Sequence, residues 1–77
     1  MEILYHNALN LAGLLERHAR VFDHLRAKDF SPIDIKKMPG TGYWRIRLDY
    51  ENRLLVQFAK HQNQTYLLLL EFIEHHD

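Results

Sequence analysis

The apolar positions change period along the chain, and the changes divide it into elements. In EILYH (2 to 6), Ile3 and Tyr5 alternate with polar neighbours, the period of a short strand. From Asn7 the spacing becomes helical. Leu11, Leu15, His18, Phe22 and Leu25 recur three or four residues apart, which predicts one helix to about Lys28 with Asn7 as its N-cap. SPIDIKKM (31 to 38) reads as a second, short helix. Ser31 can cap it, Pro32 suits the first helical position, and Asp34 falls in the first turn. Pro39-Gly40 ends that segment and turns the chain. Three strands follow, YWRIRLD (43 to 49), RLLVQFAK (53 to 60) and TYLLLLEFI (65 to 73), with YEN and HQNQ as turns. The last is apolar on both faces, as a strand inside a covered sheet would be. Residues 1 to 77 thus predict one α+β domain, an N-terminal helical part packed on a small twisted antiparallel sheet.

The first hairpin strand sorts its residues by parity. Trp44, Ile46 and Leu48 share one face, and Tyr43, Arg45, Arg47 and Asp49 the other. A three-residue turn, Tyr50-Glu51-Asn52, pairs Asp49 with Arg53, Arg47 with Leu55 and Arg45 with Gln57. Leu54, Val56 and Phe58 then join the apolar face. A two-residue turn mixes the faces, so burial selects the longer one. Arg45, Arg47 and Arg53 are therefore expected on one face, with Asp49–Arg53 offsetting part of their charge. From spacing alone that face is either a solvated surface or an anion site.

Composition narrows the choices. The chain has 77 residues, is 47% hydrophobic and lacks cysteine, so disulfides and thiolate chemistry are excluded. The absence of cysteine fits a cytoplasmic protein. YLLLL (66 to 70) is too short to span a bilayer, and MEILYHNALN has no basic region of a signal peptide. Formal net charge is zero, which speaks against broad nucleic-acid binding. The distribution is uneven. Residues 36 to 60 carry Lys36, Lys37, Arg45, Arg47, Arg53 and Lys60 against Asp49 and Glu51, and the remainder is acidic on balance. Of the six histidines, His18 falls on the apolar helix face, where a core-boundary role is expected. Without cysteine or a histidine pair at ligand spacing, neither zinc nor any cofactor is expected.

The succession K-K-x-P-G-x-G-Y-W-R-I-R, then R-L-L-V, then an apolar strand ending E-H-H-D resembles the RelE/ParE superfamily of type II toxins over roughly residues 34 to 77. The resemblance implies a toxin neutralised by a cognate antitoxin. RelE-like members cut mRNA on the ribosome, and ParE-like members inhibit DNA gyrase. Carried over by position, the family's basic pair falls on Arg45 and Arg47, the arginine opening the next strand on Arg53, and the basic residue closing the last strand on His76, with His75 before it. Glu74 stands where the family often has glycine, and the C-terminal aromatic of many RNA-cutting members has no counterpart by Asp77.

The chemistry of such a site is coherent. Arginine cannot act as the base, since its pKa stays above about 12. It can clamp phosphate oxygens and stabilise charge growing in the transition state. Histidine can move the protons, and the acidic C-terminal segment favours the acid role for His76 or His75. The expectation is a RelE-like mRNA endoribonuclease. The alternatives are a gyrase inhibitor or an inactive interaction module of the same fold.

Overall fold

The computed structural model describes residues 1–5 and 11–74. Five strands and two short helices follow one another as β1 (Glu2–Tyr5), α1 (Leu11–Arg17), α2 (Ala19–Arg26), β2 (Asp34–Lys37), β3 (Trp44–Arg47), β4 (Asn52–His61) and β5 (Gln64–Glu74). The strands form one sheet in the order β1-β5-β4-β3-β2. Four of them pair antiparallel, but β1 lies parallel to β5, with Ile3 opposite Leu67 and Tyr5 opposite Leu69. The expectation of a purely antiparallel sheet is corrected there. A four-residue strand carries alternation but no signal of direction.

The N-terminal helix is two helices. The proposed cap, Asn7, lies outside the described residues. At His18 the backbone leaves the helical basin, with φ −129° and ψ 35°. Its imidazole, 9% exposed, reaches Asp49 at the β3–β4 turn, 3.7 Å from Nε2 to Oδ2. His18 still donates its N–H to Leu14 and accepts from Phe22, so the chain bends without losing those bonds. The second helix ends where Lys28 takes φ 57°. Asp29 N–H then reaches the His24 carbonyl and Lys28 N–H the Leu25 carbonyl, a paired closure of the last helical turn.

The helix expected over 31 to 38 is a strand. Ser31 and Pro32 sit in a turn instead, with Ile33 N–H bonded to the Phe30 carbonyl. Asp34 to Lys37 then run along the free edge of β3. Ile33 and Ile35 alternate with Asp34 and Lys36, and both isoleucines pack on the core. β-branched alternation and an unpaired neighbouring edge outweigh the capping signal. Gly40, at φ 76°, turns the chain from β2 into β3, as Pro39-Gly40 implied.

The core unites Leu14, Phe22 and Leu25 of the helices with Ile46, Leu48, Leu54, Val56, Leu67 and Leu69 of the sheet region. Trp44 packs against it edge-to-face with Phe58, centroids 5.6 Å apart, in the packing role its parity predicted. A bulge serves this core. Leu55 pairs with Glu71 but Val56 with Leu69, so Leu70 is an extra residue on β5. Parity switches at that point, and Leu67, Leu69 and Phe72 all reach the core side. The run of four leucines therefore reflects a bulge as well as a central position. At the far end of the hairpin, Gln62 and Asn63 both take positive φ, 50° and 64°, and make the two-residue turn that suits the twist of β4 and β5.

Phe22 is fully buried. Phe22→Ala is expected to cost about 3–5 kcal/mol, comparable to the whole margin of so short a chain. Urea denaturation followed by circular dichroism should find the variant largely unfolded in buffer. An unchanged midpoint would mean that the helices do not share the core of the sheet.

Candidate anion site on the open face of the sheet

The site is organised by the β3–β4 turn. Asp49 is not the last residue of a strand but the first of the turn. Its Oδ1 accepts from the backbone N–H groups of Glu51 and Asn52, both at 2.8 Å, and its Oδ2 accepts from Asn52 Nδ2 at 3.0 Å. The turn is three residues long, as expected, but it begins one position earlier, at Asp49-Tyr50-Glu51. Leu48 N–H bonds to the Asn52 carbonyl at 2.9 Å and closes it. Asp49 is free to do this because a short acceptor side chain can satisfy the donors of its own turn.

The earlier closure changes every partner across the hairpin. Arg47 faces Arg53, Ile46 faces Leu54, Arg45 faces Leu55 and Trp44 faces Val56. The expected pairs Asp49–Arg53, Arg47–Leu55 and Arg45–Gln57 are not formed. The shift is by two residues, so the faces survive. Ile46, Leu54 and Val56 are fully buried, and Arg45 and Arg47 are exposed with Arg53 half-buried between its neighbours. The three arginines share the open face, as their spacing predicted. No carboxylate offsets them in the way expected, since Asp49 spends its oxygens on the turn.

Strand β2 adds charge that the helix expectation hid. Lys36 lies opposite Arg45, and Asp34 opposite Arg47. Glu71 lies opposite Leu55 on the other side of β4. Among the described residues, the side chains at pairing distance are His18 with Asp49, His24 with Asp29 and Arg26 with Asp23, so neither Asp34 nor Glu71 is within pairing distance of an arginine. Two like-charge pairs, Lys36–Arg45 and Arg47–Arg53, thus stand side by side on one face. Beside the first is a cleft of about 300 Å³ lined by Lys36, Lys37, Met38, Pro39, Thr41 and Arg45. The alternation of Ile33 and Ile35 was the signal in the sequence that could have placed Lys36 here.

Arg47 is held in place. Its Nε donates to the Asp49 carbonyl at 3.3 Å, and its Cζ lies 5.7 Å from the centroid of the Tyr50 ring. Both contacts come from the turn, so the turn sets the side chain as well as the register. Of the remaining candidates, His75 and His76 lie outside the described residues. Among those described, no group of three or more His, Asp or Glu side chains could hold a metal, and no helix is long and apolar enough to cross a membrane.

No family model and no curated protein matches the chain. Solved structures do. A YoeB/ParE toxin from Agrobacterium tumefaciens superposes with a TM-score of 0.62 at 16% identity, over 99% of this chain and 100% of that one. A chain of the RelB–RelE antitoxin–toxin complex from Methanococcus jannaschii gives 0.63 at 15% identity, over 92% of this chain and 88% of that one. The chain has the fold of the RelE/ParE toxin superfamily.

Two outcomes follow from the turn. Like charges directly opposite on a sheet are destabilising, so Arg53→Gln should stabilise the fold by about 0.2–1 kcal/mol. Lys60→Gln, on the other face of β4, should not. Thermal melts of the two variants at low salt test this, and equal melting temperatures would mean that Arg47 and Arg53 do not repel.

The second outcome concerns pH. The Asn52 side chain, with the turn N–H of Glu51 next, holds the Asp49 carboxyl below its ordinary value. A carboxyl that ionises at lower pH in the folded state contributes stability in full above its unfolded value. It loses that contribution as pH falls through the folded value. Asp49→Asn should therefore flatten the fall in urea midpoint between neutral pH and about pH 3. An undiminished acid-side fall in the variant would assign that dependence to other carboxylates.

Proposed function

We propose that the chain is the toxin of a type II toxin–antitoxin pair and acts as a RelE-like endoribonuclease on mRNA bound to the ribosome. Its N-terminal helical part would back the sheet, and the arginine face would take the substrate. One observation carries the proposal: Arg47 stands directly opposite Arg53, beside Arg45, on an exposed face. Like charges opposite one another cost stability, and an anion between them offsets that cost. Asp34 lies across from Arg47 on its other side, in β2, but is not within pairing distance of it.

In this reading Arg45, Arg47 and Arg53 clamp the scissile phosphate and stabilise the charge that grows on its oxygens as the 2′-hydroxyl attacks. Guanidinium groups stay protonated, so they move no proton themselves. The bond from the 2′-oxygen to phosphorus forms as the bond to the 5′-oxygen breaks. The hydroxyl's proton passes to solvent water, and by the carried-over resemblance His76, or His75 beside it, protonates the departing 5′-oxygen. The solved RelB–RelE complex is an antitoxin bound to a toxin, and its likeness to this chain supports an antitoxin partner here. An acidic, amphipathic antitoxin segment would suit the same face, where the arginines adjoin half-buried Leu55 and exposed Ile73.

The decisive assay is cleavage of ribosome-bound mRNA by the purified protein. Arg47→Ala or Arg53→Ala should slow cleavage by about 10²–10³-fold. His76→Ala should slow it by about 10²–10⁴-fold. Folded wild-type protein that leaves the mRNA intact would sink the nuclease reading. Inhibition of DNA gyrase would then be the function to measure, with an inactive interaction module as the remaining reading.

A further inference from the structure

Tyr50 occupies an unusual position for a large aromatic. It is 80% exposed, more than any other large apolar side chain among the described residues. A ring left so far in water contributes little to folding, so the fold gives no reason for its being there. What the ring touches is Arg47, whose Cζ is 5.7 Å from its centroid. The guanidinium is already held through Nε by the Asp49 carbonyl, at 3.3 Å. Among the described residues nothing accepts from its two terminal Nη groups, which are the pair that grips a phosphate bidentately. Arg53, the second cation of the pair, lies across the strand from Arg47.

Aromatic ring and phosphate clamp therefore stand next to each other at the same end of the hairpin. In a nucleotide the base and the phosphate are joined through one sugar, so a phosphate on Arg47 and Arg53 brings its base within reach of the Tyr50 ring. The exposed carboxylate of Glu51, the next residue of the turn, repels a phosphate from the turn tip and leaves that place to an uncharged base. We propose that Tyr50 is a base-binding residue, on which the nucleobase adjoining the clamped phosphate stacks. This rests on the RNA reading and extends it. The ligand is single-stranded RNA, bound without strong preference for the base, because every base has a face to stack.

Two oligomers separate stacking from an indirect effect through Arg47. One is a short fluorescein-labelled oligoadenylate. The other has the same number of phosphates on tetrahydrofuran spacers without bases. In fluorescence anisotropy titrations at low salt, Tyr50→Ala should weaken oligoadenylate binding by about 5- to 150-fold, the range of one base–aromatic stack. Tyr50→Phe, which keeps the ring, should bind like wild type, and the spacer oligomer should bind all three proteins equally. As the side chain is so exposed, none of the substitutions should disturb the fold.

Equal loss on both oligomers would overturn the proposal and make Tyr50 only a support for Arg47. No loss on either would overturn it as well, as would failure of the wild type to bind oligoadenylate at all. In that last case the cleavage assay on the ribosome still decides the nuclease reading separately.

Discussion

Asp49 satisfies three donors of its own turn, and the geometry of the open face follows from that. Because the carboxylate closes the turn at Leu48 and Asn52, strand β4 begins one residue earlier than the apolar pattern alone requires, and Arg53 meets Arg47 instead of an acid. The same turn supplies both contacts of the Arg47 side chain, the Asp49 carbonyl and the Tyr50 ring. His18 ties the turn to the bend between α1 and α2. One short loop thus links the helices to the strand pair that carries the cations.

Those cations are tolerated because the other face of the same strands is so well buried. Ile46, Leu54 and Val56 alternate with Arg45, Arg47, Arg53 and Leu55, and all three are fully removed from water. At roughly 1.5–3 kcal/mol for each large apolar side chain, their burial outweighs the repulsion of two like-charge pairs several times over. The bulge at Leu70 belongs to the same arrangement. Without the switch in parity, Phe72 could not join Leu67 and Leu69 on the core side. The sheet accepts a local irregularity in β5 and keeps β4 regular, which is the strand whose alternation the site needs.

The two faces of β3 and β4 were legible in the sequence because alternation survives any register shift of two. The partners across the hairpin were not, because the choice between a turn at Tyr50 and one at Asp49 rests on side-chain hydrogen bonds that burial does not constrain. The segment from Ser31 to Met38 was misread for a related reason. Ser31, Pro32 and Asp34 satisfy every local requirement of a helix start, and only the free edge of β3, distant in sequence, decides for a strand. With the strand lost, Lys36 was lost from the site. The bend at His18 was equally hidden, since the spacing through Leu15, His18 and Phe22 remains helical on both sides of it. The mixed α+β class, the sharing of one face by three arginines and the packing role of Trp44 needed none of this long-range information and were readable; the parallel pairing of β1 was not.

The charge distribution bears on how such a site would meet its substrate. The chain as a whole is neutral, so at physiological ionic strength it has little long-range field with which to draw in a polyanion. Charges more than about 8 Å away are screened. On the RNA reading, the Arg47–Arg53 pair, with Lys36–Arg45 beside it, would act only on a phosphate that has already arrived. On the RNA reading, recognition at a distance must then come from elsewhere. A ribosome that holds the mRNA extended would supply it, leaving this chain to provide close-range contacts alone. A neutral chain with a paired-cation face is suited to act where another body presents the strand.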